Sequence, residues 1–182
     1  MKRWLAAMAA AVALGTAAWV APAAAADAPY CGITWGSLPK QASAPGGGQL
    51  TNVRAGQHAC FDRLVLDVSR GRVGSYWVNY VSEVRMDGSG FLVPLRGGAK
   101  LQVTASVPDH DAYYRPTYRP ADRAELVDVT GYRTFRQVAW AGSFEATTTV
   151  GLGVRARLPF RVFVLAGPGT GSRLVVDVAH RW

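Results

Sequence analysis

From Phe61 onward the chain is punctuated at short intervals. Runs rich in Val, Leu, Tyr, Phe and Trp alternate with clusters of Gly, Pro, Asp and Ser, which is the punctuation of β-strands. In three runs the polarity alternates residue by residue. Leu64, Leu66 and Val68 oppose Arg63, Val65 and Asp67; Tyr76, Val78 and Tyr80 oppose Trp77, Asn79 and Val81. Phe144, Ala146, Thr148, Val150, Leu152 and Val154 likewise oppose Glu145, Thr147 and Thr149. Successive side chains of a strand leave opposite faces, so such runs bury one face. The pattern predicts strands over 61–68, 75–84, 90–95, 99–106, 125–130, 134–141, 144–154, 159–166 and 173–179. No longer window carries a helical period, so the class is all-β, a β-sandwich or a partly closed barrel.

One strand pattern occurs twice. Arg63-Leu64-Val65-Leu66-Asp67-Val68 returns as Arg173-Leu174-Val175-Val176-Asp177-Val178, differing only at Leu66/Val176. Paired antiparallel in register, these strands set Arg63 opposite Asp177 and Asp67 opposite Arg173, cross-strand pairs that fix register.

Before Phe61 the texture differs. Residues 27–59 hold few alternating runs and are broken by Ser43-Ala44-Pro45-Gly46-Gly47-Gly48, which predicts an irregular N-terminal arm ahead of a sandwich domain at 60–182. Residues 1–26 have the three parts of a secretory signal peptide. Lys2-Arg3 leads, an uncharged Ala-rich core runs from Trp4 to Val20, and Ala24-Ala25-Ala26 offers small residues for cleavage before Asp27. The competing reading is a retained anchor, since Trp4–Ala26 is uncharged throughout and nearly long enough to span a bilayer. Alanine richness, Pro22 and the closing alanines favour cleavage, with no membrane span in what remains.

Composition changes meaning in that light. The 182 residues include 20 Lys+Arg against 12 Asp+Glu, a net charge of +8, and 49% hydrophobic residues. That length suits one domain, and the apolar share is too high for a disordered chain. Two of the positive charges belong to the signal, so the exported protein carries +6, with +4 of it beyond residue 109. A basic exported domain suits an anionic wall or membrane surface. Nucleic acid is not expected as a partner, because the chain is exported and carries no reader motif. Export also makes the cysteines readable: Cys31 and Cys60 are the only two, so one disulfide is predicted, contributing about 3.5 kcal/mol. The competing reading is a reactive Cys60 thiol beside His58.

Little in the chain points to catalysis. No His-Glu-x-x-His, Gly-x-Ser-x-Gly or Gly-x4-Gly-Lys-Ser/Thr occurs. Gly167-Pro168-Gly169-Thr170-Gly171-Ser172 lacks the phosphate-loop lysine and lies between two strand patterns, so it reads as a hairpin loop. His58, His110 and His180 show no metal-ligand spacing. Asp109 and Asp111 flank His110 and could share a weakly held Ca²⁺ with help from carbonyls, though a solvated loop is the plainer reading. Trp35, Trp77, Trp140 and Trp182 read as core residues or cover for the disulfide. The segment Pro108–Arg123 is more pointed. It sets Tyr113, Tyr114 and Tyr118 among Arg115, Arg119 and Arg123, with prolines limiting its freedom. Tyrosine faces can stack on sugar rings, and arginines can hold carboxylates or phosphodiesters. The alternative is a long loop folded over a sheet edge with its tyrosines inward.

Several segments together resemble a known family. They are Cys31-Gly32-Ile33-Thr34-Trp35-Gly36-Ser37, Cys60 through Val68, Gly131-Tyr132-Arg133-Thr134-Phe135, Gly151 through Phe163, and Ser172 through His180. They resemble the secreted bacterial proteins that carry an AMIN-like domain, a divergent relative of the AMIN peptidoglycan-binding domain. The resemblance implies a sandwich of two small, similar sheets, no catalytic activity, and a place in the cell envelope. It therefore implies a secreted binding module without cofactor or metal, taking peptidoglycan or an attached anionic wall polymer. The alternative is a protein–protein adaptor for a secreted envelope partner, docked through a sheet edge or the same loop. A small secreted hydrolase stands third.

Overall fold

The computed structural model describes residues 29–182; the expected signal segment 1–26 and its cleavage before Asp27 lie outside them. Eleven strands follow a short 3-10 turn at Tyr30–Gly32: β1 (Lys40–Ala42), β2 (Gln49–Gln57), β3 (Phe61–Ser69), β4 (Tyr76–Val81), β5 (Val84–Arg85), β6 (Leu92–Val93), β7 (Ala99–Ala105), β8 (Phe135–Phe144), β9 (Thr147–Val154), β10 (Phe160–Ala166) and β11 (Ser172–Ala179). They form a five-stranded sheet in the order β1-β4-β7-β9-β8 and a four-stranded sheet in the order β10-β11-β3-β2, antiparallel throughout. The period-2 pattern sends Leu64, Leu66, Leu174 and Val176 from one sheet against Leu101, Val103, Val150 and Leu152 from the other, in one core. The protein is therefore an all-β sandwich.

The duplicated strands pair as the sequence implies. β3 and β11 lie side by side with Arg63 opposite Asp177 and Asp67 opposite Arg173. Arg63 grips the buried Asp177 with two bonds, 2.6 and 2.9 Å, and Arg161 of β10 adds a third at 2.8 Å. At the other end the expected ion pair is corrected. Asp67 is held by Arg54 of β2 at 2.7 and 3.0 Å, while Arg173 donates to the Ala166 carbonyl. The register was legible but the competitor was not, because Arg54 lies in the segment read as irregular.

That segment is the main correction. Residues 27–59 hold β1 and the nine-residue β2, which completes the four-stranded sheet. A bulge between Leu50 and Asn52 explains the missed signal. Leu50 and Val53 both enter the core although they are three residues apart, and a bulge breaks the period of two in this way. The disulfide joins Cys31 to Cys60 as expected, which removes the reactive-thiol reading.

Four predicted strands also change, the run 144–154 among them, because Phe144 ends β8, Glu145-Ala146 form the turn and β9 begins only at Thr147. The run 75–84 breaks into β4 and β5, and only Leu92–Val93 of 90–95 is a strand. The reason is that β5 and β6 form a separate hairpin laid across the outer face of β8 and β9, burying Val84 and Val93 on Ala139 and Ala141. Gly151 permits this approach, since a Cβ there would meet Leu95 Cδ1 at 2.8 Å. The stretch 125–130 is not a strand. It follows the edge of β8 with scattered bonds, Leu126 N–H to the Val138 carbonyl and Trp140 N–H to the Arg123 carbonyl. Asp122 just ahead of the stretch and Asp128 within it accept from the backbone amides of Ala124 and Thr130, local turns that compete with a ladder.

Candidate functional site

The Tyr/Arg segment leaves the sandwich at the end of β7 through a tied neck. Leu50 N–H donates to the Pro108 carbonyl, Thr117 Oγ1 to the Leu50 carbonyl at 2.7 Å, and the Asp109 carbonyl accepts from the amides of Thr117 and Tyr118. Beyond the neck, Asp111 organises the tip. Its Oδ1 accepts from the amides of Tyr113 and Arg115 at 2.9 and 3.0 Å, and its Oδ2 from Arg115 Nε at 2.7 Å. Desolvation pushes the Asp111 carboxyl up, but the Arg115 guanidinium and the two amides outweigh it and hold the carboxyl below its ordinary range. Tyr114 closes the turn at φ 60°, and its ring stacks on His110 with centroids 5.1 Å apart. Tyr113 lies beneath the Arg115 guanidinium, 5.1 Å from its ring centroid. Both tyrosines remain open to solvent, at 79% for Tyr113 and 82% for Tyr114.

This tip forms one wall of a cleft of about 500 Å³. His110, Asp111 and Tyr114 face Gly46, Gly47 and Gly48 across it, over Ser106 and Pro108. The glycine run, read from sequence as a break, is a wall packed tightly on the next loop: a Cβ on Gly46 would stand 2.7 Å from Gly74 Cα.

The structure thus brings together Tyr113, Tyr114 and Arg115, with His110 and Asp111 as supports. It does not bring the other three predicted residues to them. Tyr118 turns inward against Trp140, 5.5 Å between centroids, and burial pushes its hydroxyl pKa up. Arg119 is exposed beyond the neck, and Arg123 lies along the edge of β8. Asp109 and Asp111 do not converge on a common point, because Asp109 contacts His110 Nδ1 at 3.0 Å while Asp111 is taken up within the turn.

Sequence reasoning missed two arrangements. On the outer face of the four-stranded sheet, the Arg161 guanidinium is ringed by Trp35, Phe61 and Phe163, at 5.5, 5.3 and 5.1 Å from their centroids. The signal for it was present, since a hairpin at 167–171 sets Arg161 opposite Asp177. The second is a buried acid–imidazole contact. Asp62 accepts from the amides of Thr134 and Phe135 and lies 3.1 Å from His180 Nε2. Both residues are buried, so the contact latches β3, the start of β8 and the end of β11 together. Two of the expected core tryptophans are also exposed, Trp77 and Trp182, whereas Trp140 is buried.

Among the described residues no helix is long and apolar enough to cross a membrane. A family model described as the AMIN-like domain matches residues 48–180. No curated protein and no solved structure matches the chain.

Proposed function

The chain belongs to the AMIN-like domain family, and from that premise we propose that it is a secreted, non-catalytic binding module of the cell envelope. Its ligand in this reading is peptidoglycan or an anionic polymer attached to it. The observation that carries the reading is the tied loop tip, where Tyr113 and Tyr114 stay exposed beside Arg115 and Tyr114 lines the cleft. The tip is held by hydrogen bonds before any ligand arrives, so little ordering entropy remains to oppose binding. Exposed aromatic faces suit sugar rings, and an arginine beside them suits a peptide carboxylate or a phosphodiester.

Sedimentation with purified cell-wall sacculi tests this. The protein should pellet at low salt and be released as salt rises, since the charged part of the contact is screened. A variant carrying Tyr113→Ala, Tyr114→Ala and Arg115→Gln should be retained about tenfold less well, equivalent to about 1.4 kcal/mol. Protein that stays in the supernatant at low salt sinks the reading. The adaptor reading has its own observation: β10 is an edge strand, with Val164 and Leu165 exposed along it, and an open apolar edge can accept a partner strand.

A further inference from the structure

We propose that the cleft around Trp77, on the outer face of the five-stranded sheet, is a second binding subsite that takes an uncharged sugar ring. The alternation of β4 sends Val78 into the core and Trp77 to the opposite face, where the indole stays 47% exposed. Register lines Trp77 up with Gln41 of β1 on one side and Thr104 of β7 on the other, with Thr149 of β9 beyond. Gln41, Trp77 and Thr104, together with Ser43, Ser75 and Ser106, line a cleft of about 460 Å³. No lining residue carries a charge.

The chemistry of that lining selects its occupant. An indole is a broad apolar face, and hydroxyl and amide groups around it give neutral donors and acceptors. A pyranose ring is the complement, with C–H groups on its faces and hydroxyls at its rim. An ionic ligand would lose water here without gaining an opposite charge. The polarity of one group can be read further. Thr149 Oγ1 lies 2.6 Å from the Asp87 carboxylate, which only accepts, so Thr149 donates to it. Thr104 Oγ1, 3.1 Å from Thr149 Oγ1, must then donate in turn, and the Gln102 amide occupies one of its lone pairs at 3.4 Å. The remaining lone pair of Thr104 is an acceptor for a sugar hydroxyl.

Ser106 lines both this cleft and the one beneath Tyr114. A wall polymer that carries charged substituents on a neutral glycan therefore finds the charged tip at one cleft and the neutral platform at the next. This part of the inference rests on the function proposed above.

The test titrates the whole protein with a soluble tetramer of β-1,4-linked N-acetylglucosamine, reading the Trp77 indole N–H by NMR. A saturable shift at Trp77 and its neighbours Gln41 and Thr104 is expected. Trp77→Ala should weaken the affinity about tenfold. Thr104→Val keeps the shape and removes the acceptor; it should weaken binding about threefold and carries the test if Trp77→Ala fails to fold. No saturable shift at Trp77, undiminished affinity in both variants, or an equal response to a neutral apolar peptide overturns the proposal. The uncharged probe does not engage Arg115, so this titration and the sacculus assay can fail separately.

Discussion

Glu145 and Ala146, which turn β8 into β9, both have positive φ, 48° and 61°. Phe144 pairs with Thr147 around them, so the link is a two-residue hairpin loop of the kind that favours Asn-Gly. Side chains with a Cβ lose about 1 kcal/mol each in that conformation. Replacing Glu145-Ala146 with Asn-Gly should raise stability by about 1–2 kcal/mol, seen as a higher urea midpoint at an unchanged slope. An unchanged midpoint would show that the turn is relaxed as it stands. Ala146 also lines the cleft beneath Tyr114, so the native turn keeps a methyl at the rim where glycine would leave none. At the same scale Asp111 works through geometry. It fixes two backbone amides and one guanidinium, and so orients two tyrosines it does not itself touch through their rings.

Tyr80 joins one element to another. From β4 its hydroxyl donates to the Leu158 carbonyl at 2.7 Å and accepts from the Leu158 amide at 3.1 Å, tying the five-stranded sheet to the link before β10. Burial pushes its pKa up to about 12, against smaller opposing contributions from Leu158 and Arg157. The folded value lies above the ordinary value of 10, so this contribution is complete below pH 10 and is lost as pH rises toward about 12. Tyr80→Phe should cost about 1–2 kcal/mol at neutral pH and flatten the fall in stability over that alkaline window. A variant as stable as the parent, with the same alkaline slope, would contradict the tie. Elements were legible where the period of two was unbroken. β3, β7, β9, β10 and β11 fall where alternation or a bounded apolar run foretold them, and the twin strands even disclosed their register. β2 was hidden by its bulge, and 125–130 looked like a strand because composition does not record that Asp122 and Asp128 spend their carboxylates on turns. The site divided in the same way. Residue types in Pro108–Arg123 singled the segment out as a candidate, but which tyrosine faces water depends on the neck bonds to Leu50, a residue distant in sequence. Trp77 was read as core because composition favours it, while its own strand pattern already set it opposite Val78.

For the whole molecule, the disulfide spans a sequence separation of 29 and ties the segment ahead of β1 to the start of β3. The core cluster is built without either cysteine, so the sandwich should persist when the bond is reduced. Reduction, or Cys31→Ser with Cys60→Ser, should lower stability by about 3 kcal/mol, most of it through the freer unfolded chain. Chemical denaturation with and without reductant measures this, and loss of cooperative unfolding on reduction would contradict it.

The position of β11 has a consequence in time. The last strand in chain order is an interior one, lying between β10 and β3, and His180 just beyond it closes onto Asp62. A nascent chain emerges N-terminus first, so β3 waits with one side unpaired until Ser172–Ala179 appears. Until then the four-stranded layer has a gap at its centre and the two layers have no complete core to close on. The sandwich cannot be completed until β11 arrives with Leu174, Val176 and Val178, so this strand acts as the clasp of the fold.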